Sequence, residues 1–163
     1  LASRPALIRR DGEVIDLDGD PYVNFPALAS GNYRVALRHR NHLGAMSSTN
    51  ASLEQMPVRV NLRTDLGYGT NAQTALFGAF CLWPGDCAAD GTIRYVGANN
   101  DRDPILTAIG GSTPTNAVST VYSPLDVNMD GNIRYVGANN DRDPILTTVG
   151  GSVPTNTRTQ QLP

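Results

Sequence analysis

Lysine is absent from this chain of 163 residues, and all thirteen of its basic residues are arginine. Against 15 acidic residues they leave a formal net charge of −2, so no nucleic-acid partner is expected. No apolar run is long enough for a membrane-spanning helix or the core of a signal peptide, so no direct membrane span is expected either. Aromatic residues are few, and the single Trp, three Phe and six Tyr are scattered, which argues against a sugar-stacking platform. Only two cysteines occur, Cys81 and Cys87, without neighbouring histidines, and this excludes a zinc site. Two readings stay open for that pair: a short-loop disulfide, or two small buried thiols.

Glycine (16) and proline (11) are abundant, as are Ser, Thr and Asn, which favours turns and short strands over long helices. A start at Leu1 without Met reads as a processed or truncated product. Over the first seventy residues apolar and polar residues alternate as in β-strands. "PALIRR" meets an Asp11-Gly12 turn and then "EVIDLD"; further strands are expected in "YVNFP", "YRVALRHR", "LGAMSS" and "MPVRVNLR". About six strands result, where an immunoglobulin-like β-sandwich needs about seven. The predicted fold class is therefore mainly β, with a strand-incomplete immunoglobulin-like sandwich over 11–78. Within residues 1–10, a candidate donor strand, Leu1 to Ile8 is an apolar, unpunctuated segment, and Leu1, Ala2, Ala6, Leu7 and Ile8 are candidates to pair within their own domain or to complete a neighbour's sheet.

The texture changes in residues 79–163. Residues 90–116 and 130–156 match at 23 of 27 positions, inside two repeats spanning 86–116 and 126–156. What is duplicated is a loop of carboxylates, amides and glycines. Asp126, Asn128 and Asp130 stand at loop positions 1, 3 and 5, Gly131 at 6, Asn132 at 7 with its carbonyl, and Ile133 at 8. This is the EF-hand way of wrapping calcium. The first copy offers Asp86, Asp90 and Thr92 but has Ala88 in place of an oxygen ligand, so weaker binding is expected there. An insertion, "RYVGANN", delays the closing carboxylates, for which Asp101, Asp103, Asp141 and Asp143 are the candidates. The alternative for Asp103 and Asp143 is a helix cap before Pro104 and Pro144. Two structural calcium ions are expected, because several carboxylates in one loop repel one another without a cation.

The strings "GDCAADGTI" and "LDVNMDGNI" resemble the duplicated calcium loops of dockerin modules. The phrase "YVGANNDRDPIL…GGSTPTN", with "YRVALRHRNHLGAMSS" upstream, is similar to carboxy-terminal regions of large secreted surface proteins of Bacteroidota. The resemblance covers roughly residues 30–163 and implies export, a cell-surface setting and calcium-stabilised folding. The insertion and the very short helices depart from the dockerin pattern.

No nucleophile–base set is predicted, and no enzyme activity is expected. His39 and His42 read as a turn rather than a metal site, because Arg38 and Arg40 flank them. Asp16, Asp18 and Asp20 read as a hairpin turn. The polar tail 157–163 is expected on the surface. The expected function is a structural subunit of an extracellular, pilus-like bacterial fibre, made of copies of itself joined by strand donation. The alternative is a non-polymeric, calcium-dependent adhesion or anchoring module of a larger surface protein.

Overall fold

The computed structural model describes residues 1–54 and 56–162. It is mainly β. The front half holds β1 (Leu7–Ile8), β2 (Val14–Ile15), β3 (Gly31–Tyr33), β4 (Ala36–His39), β5 (His42–Met46), β6 (Ala51–Leu53), β7 (Thr74–Leu76) and β8 (Ala79–Cys81). The back half holds β9 (Thr92–Arg94), α1 (Arg102–Ala108), β10 (Ala117–Ser119), β11 (Asn132–Arg134), α2 (Arg142–Thr148) and β12 (Thr157–Thr159).

Among the described residues the strands pair only in twos, as six antiparallel ladders. The Asp11-Gly12 turn does join β1 to β2, setting Leu7 opposite Ile15 and Ile8 opposite Val14. The apolar start of the chain thus pairs within its own chain. Alternation in "YVNFP" and "MPVRVNLR" does not produce strands. The amide of Asn24 goes to the carboxylate of Asp16, the carbonyl of Leu62 accepts from the side chain of Gln73, and that of Arg63 accepts from the amide of Phe80, a single bond that builds no ladder. Asp16 is buried and paired with Arg4, while Asp18 and Asp20 accept from the amides two residues on, which makes "DLDGDP" a turn.

The back half has an exchanged arrangement. β10 follows the helix of the first repeat but pairs with β11 of the second, placing Val118 opposite Ile133. β12 follows the helix of the second repeat and pairs with β9 of the first, placing Arg158 opposite Ile93. Each repeat therefore closes the other's strand, and α1 packs on β11 as α2 packs on β9. The tail expected on the surface is partly this strand. Beyond it Leu162 runs against Gly44 in β5, where a Cβ would stand 2.6 Å from the leucine's Cδ1.

One core serves the repeats: Cys87, Ile93, Ile105, Ile109, Val127, Ile133, Ile145 and Val149, joined by Leu43 from the front half. The expected boundary near residue 78 is crossed at several points. The amide of Leu43 donates to the carbonyl of Trp83, the guanidinium of Arg40 to the carbonyl of Ser123, and Asn41 reaches both loops.

Candidate metal centre in the duplicated loops

Gly91 and Gly131 sit at loop position 6 with φ of +75° and +81°, the left-handed turn that folds each loop back on its first aspartate. The amides of Asp90 and Gly91 donate to the carboxylate of Asp86 at 3.1 and 3.2 Å. Those of Asp130 and Gly131 donate to Asp126 at 3.0 and 3.0 Å. Residue 4 of each loop is also left-handed, Ala89 at φ 54° and Met129 at φ 60°, a strain of about 1 kcal/mol each that the sequence did not signal.

The inserted "RYVGANN" curls so that Asp101 and Asp141 return beneath the loops. Asp101 accepts from the amides of Ala88 and Arg94 at 3.0 and 2.8 Å. Asp141 accepts from Val127, Asn128 and Arg134 at 2.7, 3.2 and 2.8 Å. Asp86, Asp101, Asp126 and Asp141 are 6, 0, 2 and 0 % exposed. Among the described residues none of the four has a cationic side chain as partner.

This burial has an electrostatic signature. Loss of water pushes Asp101 up to about 6 against the pull of its two amides, and the charges of Asp86 and Asp90 add to the rise. Asp86 is raised for the same first reason, with Asp90 contributing. Asp141 is raised by burial, with Asp126 contributing.

The remaining candidates are placed differently. Asp90 and Asp130 turn one oxygen to the amide of Thr92 or Asn132 and the other to Arg94 or Arg134, at 2.7 and 2.9 Å. Asn128 accepts from the amide of Asp130 and donates to the carbonyl of Asn139, tying the second loop to its insertion; Ala88 leaves the first loop without that tie. Asp103 and Asp143 do not join the loop carboxylates. They lie in the first helical turn, and each accepts from the side chain of Asn100 or Asn140. Nor do they cap: Asn100 and Asn140 do, accepting from the amides of Asp103 and Asp143 at 3.0 Å. The Asn-x-x-Asp spacing carries that signal. Among the described residues no three His, Cys, Asp or Glu side chains stand grouped as a ready metal cluster, and Arg94 and Arg134 hold the third carboxylate of each loop.

The donor set still suits a hard cation. All-oxygen and anionic, with Asp86, Asp101, Asp126 and Asp141 buried without a cationic partner among the described residues, it matches calcium better than a metal that prefers nitrogen or sulfur. Asp90 and Asp130 would have to exchange Arg94 and Arg134 for the ion. Asp86, Asp90 and Asp101, with the carbonyl of Thr92, would hold one ion. Asp126, Asn128, Asp130 and Asp141, with the carbonyl of Asn132, would hold the other.

Cys81 and Cys87 stand as separate thiols. Cys87 is drawn into the core of the repeats, where burial pushes its thiol well above the usual range. Cys81 ends β8, half-buried. His39 and His42 stand Nδ1 to Nδ1 at 2.9 Å where the β4–β5 turn meets Pro84, with Arg40 and Asn41 as their other side-chain partners among the described residues. The two-residue turn joining β7 to β8, Phe77-Gly78, escaped the sequence because Phe rarely accepts φ of 50°.

No family model, no curated protein and no solved structure matches the chain.

Proposed function

We propose that this chain is a non-enzymatic building block of an extracellular, cell-surface bacterial fibre, its back half stapled by two calcium ions. One observation carries the calcium part: among the described residues four buried carboxylates, Asp86, Asp101, Asp126 and Asp141, are bonded only to main-chain amides. Ionised carboxylates in such a place are costly without a counter-charge, and a hard cation supplies it. Binding free energy then becomes folding free energy.

The fibre part draws on the amino-terminal segment. Leu7 and Ile8 are held by a ladder of two residues and are about half exposed, and Leu1, Ala2 and Ala6 lie outside any ladder. Exchanging so short a ladder for a longer one on another copy costs little. The front half, with its open-edged two-stranded ladders, is read as a strand-poor, immunoglobulin-like acceptor over 11–78, and 79–163 as a dockerin-like pair. A donated strand makes a heterologous contact, so it propagates rather than closing. Electron microscopy of the purified chain is expected to show filaments, and removal of residues 1–10 to leave monomers. Normal filaments from the shortened chain would rule out strand donation.

The pairing of β1 with β2 favours a second reading. In it the chain is a non-polymeric, calcium-dependent adhesion or anchoring module of a larger surface protein. Size-exclusion chromatography would then give a monomer at all concentrations, with no filaments on the grid.

A further inference from the structure

Asn41 occupies the turn between β4 and β5 and has no exposed surface. Its carbonyl accepts from the amides of Gly85 and Asp86 at 2.8 and 3.1 Å. Its side-chain Nδ2 donates to the carbonyl of Asp126 at 2.7 Å. Its Oδ1 lies 2.7 Å from Nδ1 of His42, which orients the amide group. Asp86 and Asp126 are the equivalent first residues of the two loops, forty positions apart. A single residue outside the repeat thus holds both, one through its main chain and the other through its side chain.

We infer that Asn41 is a positioning residue that couples the two acidic loops to each other and to the β4–β5 hairpin. This rests on the calcium reading above. A cation drawn to Asp86 or Asp126 acts on a residue whose main chain Asn41 holds, so loading either loop is felt at the turn. By reciprocity, the turn sets how readily each loop loads. The two attachments differ in what a side-chain substitution removes. Asn41→Ala deletes the bond to Asp126 and keeps the carbonyl that serves Gly85 and Asp86.

A calcium titration of the whole chain followed by NMR separates the loops, because the amides of Gly91 and Gly131 each donate to the first aspartate of their own loop. Asn41→Ala is expected to weaken the midpoint at Gly131 by about tenfold, the loss of one buried hydrogen bond, and that at Gly91 by less than about threefold. Thr148→Val is the control. It removes the 2.8 Å bond from Thr148 to the carbonyl of Pro84 at the same joint without touching either aspartate, and is expected to leave both midpoints in place. Equal weakening at both glycines in Asn41→Ala, or none, overturns the inference and leaves the calcium reading standing. A wild-type chain in which neither glycine responds to calcium overturns both. Should Asn41→Ala fail to fold, hydrogen exchange on the wild type decides. Calcium is expected to slow the amide of Leu43, bonded to the carbonyl of Trp83, together with the loop amides. Slowed loops with Leu43 unchanged would overturn the coupling.

Discussion

The guanidinium of Arg158 lies over the indole of Trp83, 3.6 Å from the ring centre, while its Nε donates to the carbonyl of Thr148 at 3.1 Å. Trp83 in turn donates its ring N–H to the carbonyl of Asn71. A residue of the last strand therefore clamps the segment joining the two halves. Arg158→Ala is expected to cost about 2 kcal/mol, from a stacked cation and a charge-assisted hydrogen bond. Denaturant unfolding measures it, and the single tryptophan should shift its emission to the red. Arg158→Lys should recover less than half of the loss, since an ammonium cannot stack as a plane.

Calcium at about a hundredfold over its dissociation constant should stabilise the chain by about 2.7 kcal/mol for each site, and a chelator should remove this. Thermal melting in both conditions checks it. Asp130→Asn should reduce the calcium increment while changing the chelated protein by less than about 1 kcal/mol, because its pairing with Arg134 is near the surface. Asp141→Ala should be far worse, since it strands the amides of Val127, Asn128 and Arg134. A chelated protein as stable as the loaded one at every calcium concentration would sink the metal reading.

The calcium increment should depend on pH. Asp101 has a folded value of about 6, above its unfolded 3.8, so in the ion-free protein its stabilising contribution is present below 3.8 and lost as pH rises through about 6. Asp86 and Asp141 are shifted in the same direction. A bound cation needs these groups ionised, so protonation opposes it. The difference in melting temperature between calcium and chelator should therefore shrink as pH falls from 7 towards 4. Taking the difference cancels any group titrating alike in both conditions. A difference that grew on acidification would contradict this account.

His42 should behave in the opposite sense. Burial, then the charges of His39 and Arg40, lowers it from 6.5 to about 3. Its contribution to stability is complete above 6.5 and is lost as pH falls from there towards about 3, because only the unfolded chain takes up the proton readily. NMR of the imidazole in the folded protein should show no titration above about pH 4. A midpoint near 6.5 would mean that the joint at Asn41 is open to water.

The repeats were the most legible part of the chain. A polar phrase written twice, with Gly91 and Gly131 where a tight turn needs them, located the loops and the helices, because those features depend on short stretches of chain. It offered Asp101, Asp103, Asp141 and Asp143 alike, and only the folded chain separates Asp101 and Asp141, beneath the loops, from Asp103 and Asp143 in the helices. The front half was less legible. Alternation in 56–63 satisfies the strand pattern, but a strand also needs a ladder, and here the carbonyl of Leu62 goes to the side chain of Gln73 while that of Arg63 alone meets the amide of Phe80. Asn100 and Asn140 were overlooked as caps because the adjoining Asp-Pro pairs offered a stronger local signal.

From its sequence alone the chain is determined to be strand-rich and turn-rich, with two equivalent acidic loops whose glycines and apolar residues specify their own local geometry. Tertiary structure decided the rest: that each repeat closes the other's strand, that Leu43 completes the repeats' core, that Asn41 holds both loops, and that arginines rather than neighbouring aspartates engage Asp90 and Asp130. The reason is one of range. Turn geometry is set by neighbours along the chain, whereas partners far apart in sequence are selected by which buried surfaces and hydrogen-bonding groups can be satisfied together.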